Sequence, residues 1–334
     1  MRPDLTEWSQ VTREIDRPKV ERAFAAIEPG SVAKLFFTSG SMGSPKAVET
    51  THRVLLANQQ QMRQVWPFLD DHTPVLVDWL PWSHTFGGNH NFNLVLRSGG
   101  TLYIDAGRPA PGKFDQTLAN LREIAPTLYF NVPRGFDMLL PMLQRDSALR
   151  DRFFSQLRLM FCAAAALPEH LWNALRELGA EIPREPVPVV TAWGATETAP
   201  LATSCFFQAE AAGNIGLPVP GLELKLVPRG SNFEIWVKGP NVTPGYWRRP
   251  DLTASAFDEE GYYLIGDAVK PAHRPIPTGP FSWQSLPRSM QERLPIKVIS
   301  TSESCSSGGS LVQALYSDIP GDRVIHLPSA PGTR

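Results

Sequence analysis

The chain has 334 residues, with 32 Lys+Arg against 33 Asp+Glu for a formal net charge of −1, and it is 42% hydrophobic and 19% charged. That balance describes a globular protein long enough for a large core in one or two domains, excludes wholesale disorder, and with no long Lys/Arg run argues against nucleic acid or an anionic membrane as partner. Three scattered cysteines, Cys162, Cys205 and Cys305, make neither a disulfide scaffold nor a thiolate metal knuckle, so a cytoplasmic setting is expected; no apolar run is long enough to predict a membrane span.

A helix is predicted around Val20–Ile27, closed by Pro29-Gly30. Lys34–Thr38 reads as a strand that runs into a Ser/Gly cluster, and Thr51–Trp66 as a helix with Thr50 or Thr51 as N-cap. The alternation continues with a strand at Pro74–Leu80, a helix at His84–Leu96 and a strand at Gly100–Ile104. A helix at Phe114–Ala125 follows, with Phe114, Leu118, Leu121 and Ala125 on one face, and then a strand at Thr127–Asn131. Pro133–Gln144 reads as helix, Leu157–Cys162 as strand, Pro168–Leu178 as a helix ended by Gly179, and Val187–Thr191 as strand. Strands alternating with helices of this length predict a mostly parallel sheet with helices on both faces. After Ile215 the period changes to two, and Leu222–Val227 with Phe233–Val237 predict a hairpin. Beyond residue 270 the chain is rich in Ser, Pro and Gly and is expected to be poorly ordered. The expected division is therefore an α/β region over residues 1–214, a β-rich subdomain over 215–270 and a tail over 271–334.

The first candidate for chemistry is the loop Thr38-Ser-Gly-Ser-Met-Gly-Ser-Pro-Lys46, read as a connection from strand to helix. Glycines there let backbone N–H groups converge on phosphate oxygens, hydroxyls add donors and lysine adds charge, with the helix N-terminus favouring an anion. A Walker A loop needs Gly before the Lys and Ser/Thr after it, and here Pro45 and Ala47 stand in those places. No Gly-x-Ser-x-Gly elbow is present, which argues against a serine hydrolase. His84 and His90 lack a third ligand for zinc.

This loop resembles the phosphate-loop signature of the adenylate-forming superfamily of acyl-CoA synthetases, luciferases and peptide-synthetase adenylation domains. Met42 departs from its second hydroxyl residue and Ala47 from its final Gly. Four further motifs follow in family order. Leu80-Pro-Trp-Ser-His-Thr-Phe-Gly-Gly88 resembles the motif with a His or aromatic residue at the mouth of the acid pocket. Trp193-Gly-Ala-Thr-Glu197 resembles a Tyr/Phe-Gly-x-Thr-Glu motif. Phe233–Trp247 resembles a stretch that is chiefly structural in the family, and Gly261-Tyr-Tyr-Leu-Ile-Gly-Asp267 the motif whose Asp bonds the ribose, with Ile265 in place of Thr. Within the superfamily the look is closest to bacterial feruloyl-CoA synthase.

The resemblance implies an α/β fold, part of the large N-terminal domain with parallel-rich sheets, flanking helices and a β-rich subdomain, without the C-terminal swinging domain and its catalytic lysine. It implies activation of a small aromatic carboxylic acid such as ferulate, with ATP, Mg²⁺ and coenzyme A as cofactor and co-substrates. Thr38, Ser39, Gly40, Ser41, Gly43 and Lys46 would hold phosphates, Trp193 the adenine and Asp267 the ribose. Thr196 would contact the α-phosphate and Glu197 would bind the metal. His84, Gly87, Gly88 and Ala164 would line the acid pocket, Ala164 standing where relatives often have Gly. With no swinging domain expected, low ligase activity is foreseen, and the alternative is a catalytically silent AMP/ATP-binding remnant or a frameshifted gene fragment.

Overall fold

The computed structural model describes residues 16–38, 45–182, 186–205, 212–230, 232–271, 281–282 and 296–298. Helix α1 (Arg17–Ala25) begins at Asp16, whose side chain accepts the Lys19 N–H, and has Pro in its first turn. Strand β1 (Val32–Thr38) pairs antiparallel with β2 (Lys46–Thr51), a strand the sequence reading had merged into the loop. The residues of β2, Lys-Ala-Val-Glu-Thr-Thr, carry β-branched side chains at Val48, Thr50 and Thr51, which suit a half-buried pleat. Thr38 at the end of β1 lies opposite Lys46 at the start of β2, and the next helix starts only after β2. The expectation that a helix N-terminus immediately follows the loop is corrected accordingly. That helix, α2 (His52–Val65), is capped by the Thr51 hydroxyl, which accepts the Val54 N–H at 3.3 Å.

Strands β3 (Val75–Asp78) and β4 (Thr101–Ile104) form a parallel pair. Between them the expected helix divides into a π-helical stretch, Phe86–Asn91, and α3 (Phe92–Ser98). The glycines explain the tight start: a Cβ on Gly87 would lie 2.6 Å from the Leu80 carbonyl, and one on Gly88 would meet that of Trp82.

Helix α4 (Phe114–Glu123) buries Phe114, Leu118 and Leu121 as its spacing predicts. It leads to β5 (Leu128–Asn131), α5 (Pro133–Arg145) and α6 (Ser147–Phe154), the last missed in the sequence because it is a two-turn helix. Strand β6 (Leu159–Cys162), α7 (Glu169–Ala180) and β7 (Val189–Gly194) complete the alternation. Gly179 lies inside α7 rather than past its end, because a Cβ there would sit 2.5 Å from the Val187 carbonyl and keep the helix off the strand.

Strands β5, β6 and β7 are parallel neighbours, and β8 (Leu201–Ser204) and β9 (Leu217–Pro218) extend that sheet antiparallel. All four residues of β5 and of β6 are buried, as expected of strands covered on both faces. The predicted hairpin is β10 (Glu223–Arg229) with β11 (Asn232–Lys238). After α8 (Pro250–Ala256), β12 (Tyr263–Pro271) pairs with β11, and two short strands, β13 (Phe281–Ser282) and β14 (Ile296–Val298), pair at the edges. One buried cluster runs from Met62 through Phe136, Phe161 and Leu217 to Ile235 and Val269, so the β10–β12 sheet shares the core of the α/β layers. The rest of the region expected to be poorly ordered, beyond residue 271, lies outside the described residues, as do Ser39, Gly40, Ser41 and Gly43, the residues expected to hold phosphates. Among the described residues no helix is long and apolar enough to cross a membrane.

Candidate nucleotide and acid site

Strand β7 is where the sheet changes from parallel to antiparallel pairing, and its C-terminal end carries Trp193 and Gly194. Open α/β sheets bind ligands in a crevice outside such strand ends. Gly194 is needed there, since a Cβ would collide with the Pro200 carbonyl and lie 2.9 Å from the Ala202 nitrogen. The chain then makes a one-turn 3₁₀ helix, Thr196–Thr198, braced by the Thr198 hydroxyl, which receives the Ala195 N–H at 2.7 Å. Thr196 is half-buried and Glu197 is buried.

Two distant segments close on this turn. The Trp193 indole N–H donates to Asp267 Oδ2 at 2.8 Å, joining the end of β7 to β12. The Asp267 carboxyl is held above the usual carboxylate range by burial, opposed by the Trp193 hydrogen bond and reinforced by the charge of Glu197. On the other side Tyr246 donates to Glu197 Oε1 at 2.8 Å, and its oxygen lies 3.0 Å from the Tyr263 hydroxyl. Burial first, and the negative charge of Glu197 second, push both phenols well above their ordinary pKa, so both are hydroxyls and not phenolates.

The 241–247 segment, expected to be chiefly structural, is the bracket that makes these contacts. Thr243 N–H donates to the Glu197 carbonyl at 2.7 Å, and its hydroxyl donates to the Glu49 carbonyl at 2.7 Å. Glu49 N–H reaches Gly245 O at 3.0 Å and Trp247 N–H reaches Ala47 O at 2.8 Å, so the segment lies alongside β2. Lys46, at the loop end of β2, places its Nζ 4.9 Å from the centroid of the Tyr246 ring. The Tyr246 ring therefore faces the Lys46 ammonium while its hydroxyl donates to Glu197. Sequence reasoning quoted Tyr246 inside a motif and gave it no role; its place beside a Pro-Gly turn carries no signal for a contact 49 residues back in the chain.

The remaining predicted residues sit on other elements. Thr38 is buried at the end of β1, facing Lys46 across the hairpin. His84 lies on the outer side of the turn before the π-helix, where surrounding atoms lower its pKa by desolvation. Gly87 and Gly88 follow it, and the space their side chains would need is filled by the carbonyls of residues 80–82. The hairpin and the His84 turn are linked by Lys34 of β1, whose Nζ donates to Gly88 O at 2.7 Å and Asn89 Oδ1 at 3.3 Å. Ala164 follows β6, next to β7, and has φ +74, a left-handed conformation costly for a residue with a Cβ. Among the described residues no group of three or more His, Cys, Asp or Glu is placed to hold a metal ion. A single buried carboxylate such as Glu197 suits Mg²⁺, which keeps most of its ligands as water and phosphate.

The family model described as AMP-binding enzyme matches residues 2–247. The chain belongs to the AMP-binding enzyme family. Among its AMP-binding relatives, a long-chain-fatty-acid–CoA ligase of Escherichia coli is 31% identical over 267 residues, covering 73% of this chain and 45% of that one. A malonyl-CoA ligase product complex with methylmalonyl-CoA and AMP superposes with a TM-score of 0.64 at 27% identity, covering 82% of this chain and 54% of the other. ATP-bound MatB from Rhodopseudomonas palustris gives 0.60 at 25% identity, over 81% and 48%. The architecture is the α/β N-terminal part of an adenylate-forming enzyme. This AMP-binding chain spans about half the length of those relatives.

Proposed function

We propose that the chain carries the carboxylate-activating site of an AMP-forming acid–CoA ligase. The observation that carries this reading is the convergence of Lys46, Tyr246, Glu197, Trp193 and Asp267, drawn from four separated segments. In the reaction an oxygen of the acid attacks the α-phosphorus of ATP, the bond to the bridging oxygen breaks, and pyrophosphate leaves with the electron pair. The thiol sulfur of coenzyme A then attacks the acyl carbon, AMP departs with the bonding pair, and the thiol proton is released to solvent.

The protein contributes position and charge rather than a covalent intermediate. Thr38, Lys46 and the loop residues Ser39, Gly40, Ser41 and Gly43 hold the β- and γ-phosphates. Thr196 presents its hydroxyl to the α-phosphate. Trp193 covers the adenine, and Asp267, with Oδ2 taken by the Trp193 N–H, receives a ribose hydroxyl on its other oxygen. Glu197 would hold Mg²⁺, which when bound would neutralise phosphate charge. His84, with Gly87, Gly88 and Ala164, borders the acid. The substrate is an aromatic acid such as ferulate, a reading supported by likeness of the motifs to feruloyl-CoA synthase. The relatives' own names span long-chain fatty acids and malonate.

The test is ATP–pyrophosphate exchange by the purified chain with and without ferulate and Mg²⁺, beside Glu197→Gln. Ferulate-dependent exchange that vanishes in the variant is the expected outcome. Nucleotide binding without exchange would replace the ligase reading with that of a silent AMP/ATP-binding protein.

A further inference from the structure

Lys34 of β1 is half-buried, and among the described residues its ammonium has no carboxylate partner in an ion pair. Oxygens and rings hold it instead: Nζ donates to Gly88 O at 2.7 Å and to Asn89 Oδ1 at 3.3 Å, and lies 5.9 Å from the ring centroids of both Phe36 and Phe92. Burial lowers its pKa, and no neighbouring charge opposes the effect. A charge drawn out of water without a counter-charge costs stability, so packing alone does not explain a lysine at this place.

Both acceptors belong to the π-helical stretch that follows His84. The Phe92 N–H, which an α-helical ladder would give to Gly88, goes to Gly87 instead. The Gly88 carbonyl takes the ammonium, while the Gly88 N–H donates to His84 O at 2.8 Å. Asn89 is fully buried. An ammonium only donates, so it fixes Oδ1 as the end of the Asn89 amide that faces it and leaves Nδ2 to donate to Thr85 Oγ1 at 3.1 Å. Gln59 of α2 donates to the Asn89 carbonyl at 3.1 Å. Lys34 therefore reaches the His84 turn by two routes, the Gly88 backbone and the Asn89–Thr85 relay.

We propose that Lys34 is a positioning residue for acid binding: it sets the His84 turn against β1, and thereby the fit of the acid, without touching the acid. This role rests on the ligase reading above, in which His84 borders the acid. The rival role is a strut that only stabilises the fold. A strut would affect the nucleotide and the acid alike, whereas a positioning residue at this turn affects the acid.

The experiment is ATP–pyrophosphate exchange by the wild type, Lys34→Met, Lys34→Arg and Thr85→Val, with ferulate and ATP varied in turn. Lys34→Met is expected to raise the ferulate KM about tenfold, the scale of one lost charge-assisted hydrogen bond, while the ATP KM and kcat stay within about twofold. Lys34→Arg keeps a charged donor and should restore most of the loss. Thr85→Val cuts the relay at its far end with little change in side-chain volume, and is expected to raise the ferulate KM in the same sense. Parallel rises in both KM values, an unchanged ferulate KM, or an arginine variant no better than the methionine one would overturn the proposal and leave the ligase reading standing. The His84 Cε1–H NMR resonance is read on the same proteins without substrate. It should be displaced in Lys34→Met and return to the wild-type position in Lys34→Arg. A wild type without exchange sinks the ligase reading, whereas a His84 resonance that ignores Lys34→Met sinks the role of Lys34 whether or not exchange occurs.

Discussion

Beneath the His84 turn, Asp78 Oδ1 accepts the Leu80 N–H at 3.0 Å and Oδ2 accepts Asn91 Nδ2 at 2.9 Å. The side-chain amide oxygen Oδ1 of Asn91 lies 2.6 Å from His90 Nδ1, so that nitrogen carries the proton of a neutral imidazole. His90 is enclosed by Trp66, Phe86, Phe130 and Phe161. Burial raises the Asp78 carboxyl to about 7, aided by the charge of Asp105, and lowers His90 to about 3. Tyr129, pushed up mainly by its own burial, also feels Asp78 and Asp105 and stays a neutral hydroxyl throughout.

These two shifts pull stability in opposite directions over nearly the same window. Between an unfolded value near 3.8 and a folded value near 7, the native state holds the Asp78 proton that the unfolded state has lost, so this contribution falls as pH rises. Between about 3 and 6.5 the unfolded state holds a His90 proton that the native state lacks, so that contribution rises with pH. Each is worth about 1.4 kcal/mol per pH unit, and they cancel in the wild type from about pH 4 to 6.5. Asp78→Asn removes one side of the balance. Its stability relative to wild type is expected to climb by about 2.7 kcal/mol between pH 4.5 and 6.5, two units at about 1.4 each. Urea unfolding of both proteins at five pH values measures it, other titrations dropping out of the difference. A difference that does not change with pH would refute the buried, protonated carboxyl and the reasoning built on it.

Tyr246→Phe keeps the ring under Lys46 and removes the hydrogen bond to Glu197; Mg²⁺-dependent ATP affinity is expected to fall about tenfold while Mg²⁺-free affinity changes little, read by calorimetry with and without the ion. Trp193→Phe keeps an aromatic face and releases Asp267 Oδ2, so the Asp267 carboxyl should titrate higher than in the wild type, followed by ¹³C-carboxyl NMR; an unmoved resonance would show that the indole does not hold it. Gly194→Ala forces a methyl against the Pro200 carbonyl and should cost roughly 1–3 kcal/mol, seen as a lower midpoint in urea, with an unchanged midpoint counting against the packing described.

Much of this protein is already written in its sequence. The βα rhythm from Leu128 to Gly194 is carried by local periodicity and by Pro and Gly at element ends, and fully apolar runs such as Leu-Met-Phe-Cys at β6 mark central strands whatever surrounds them. Lys46, Glu197 and Asp267 stand out as candidates for a different reason: each sits in a short motif whose residue types are read locally. Tertiary structure decided the rest. Strand β2 could not be read because its six residues lie between a glycine-rich loop and a strong helix signal, and only pairing with β1 settles them as strand. The role of Tyr246, the tie from Trp193 to Asp267 and the hold of Lys34 on Gly88 and Asn89 depend on residues brought together across dozens of positions. Periodicity records which face of an element is buried, but the partner a polar group meets there is fixed only when the sheets and helices close on one core.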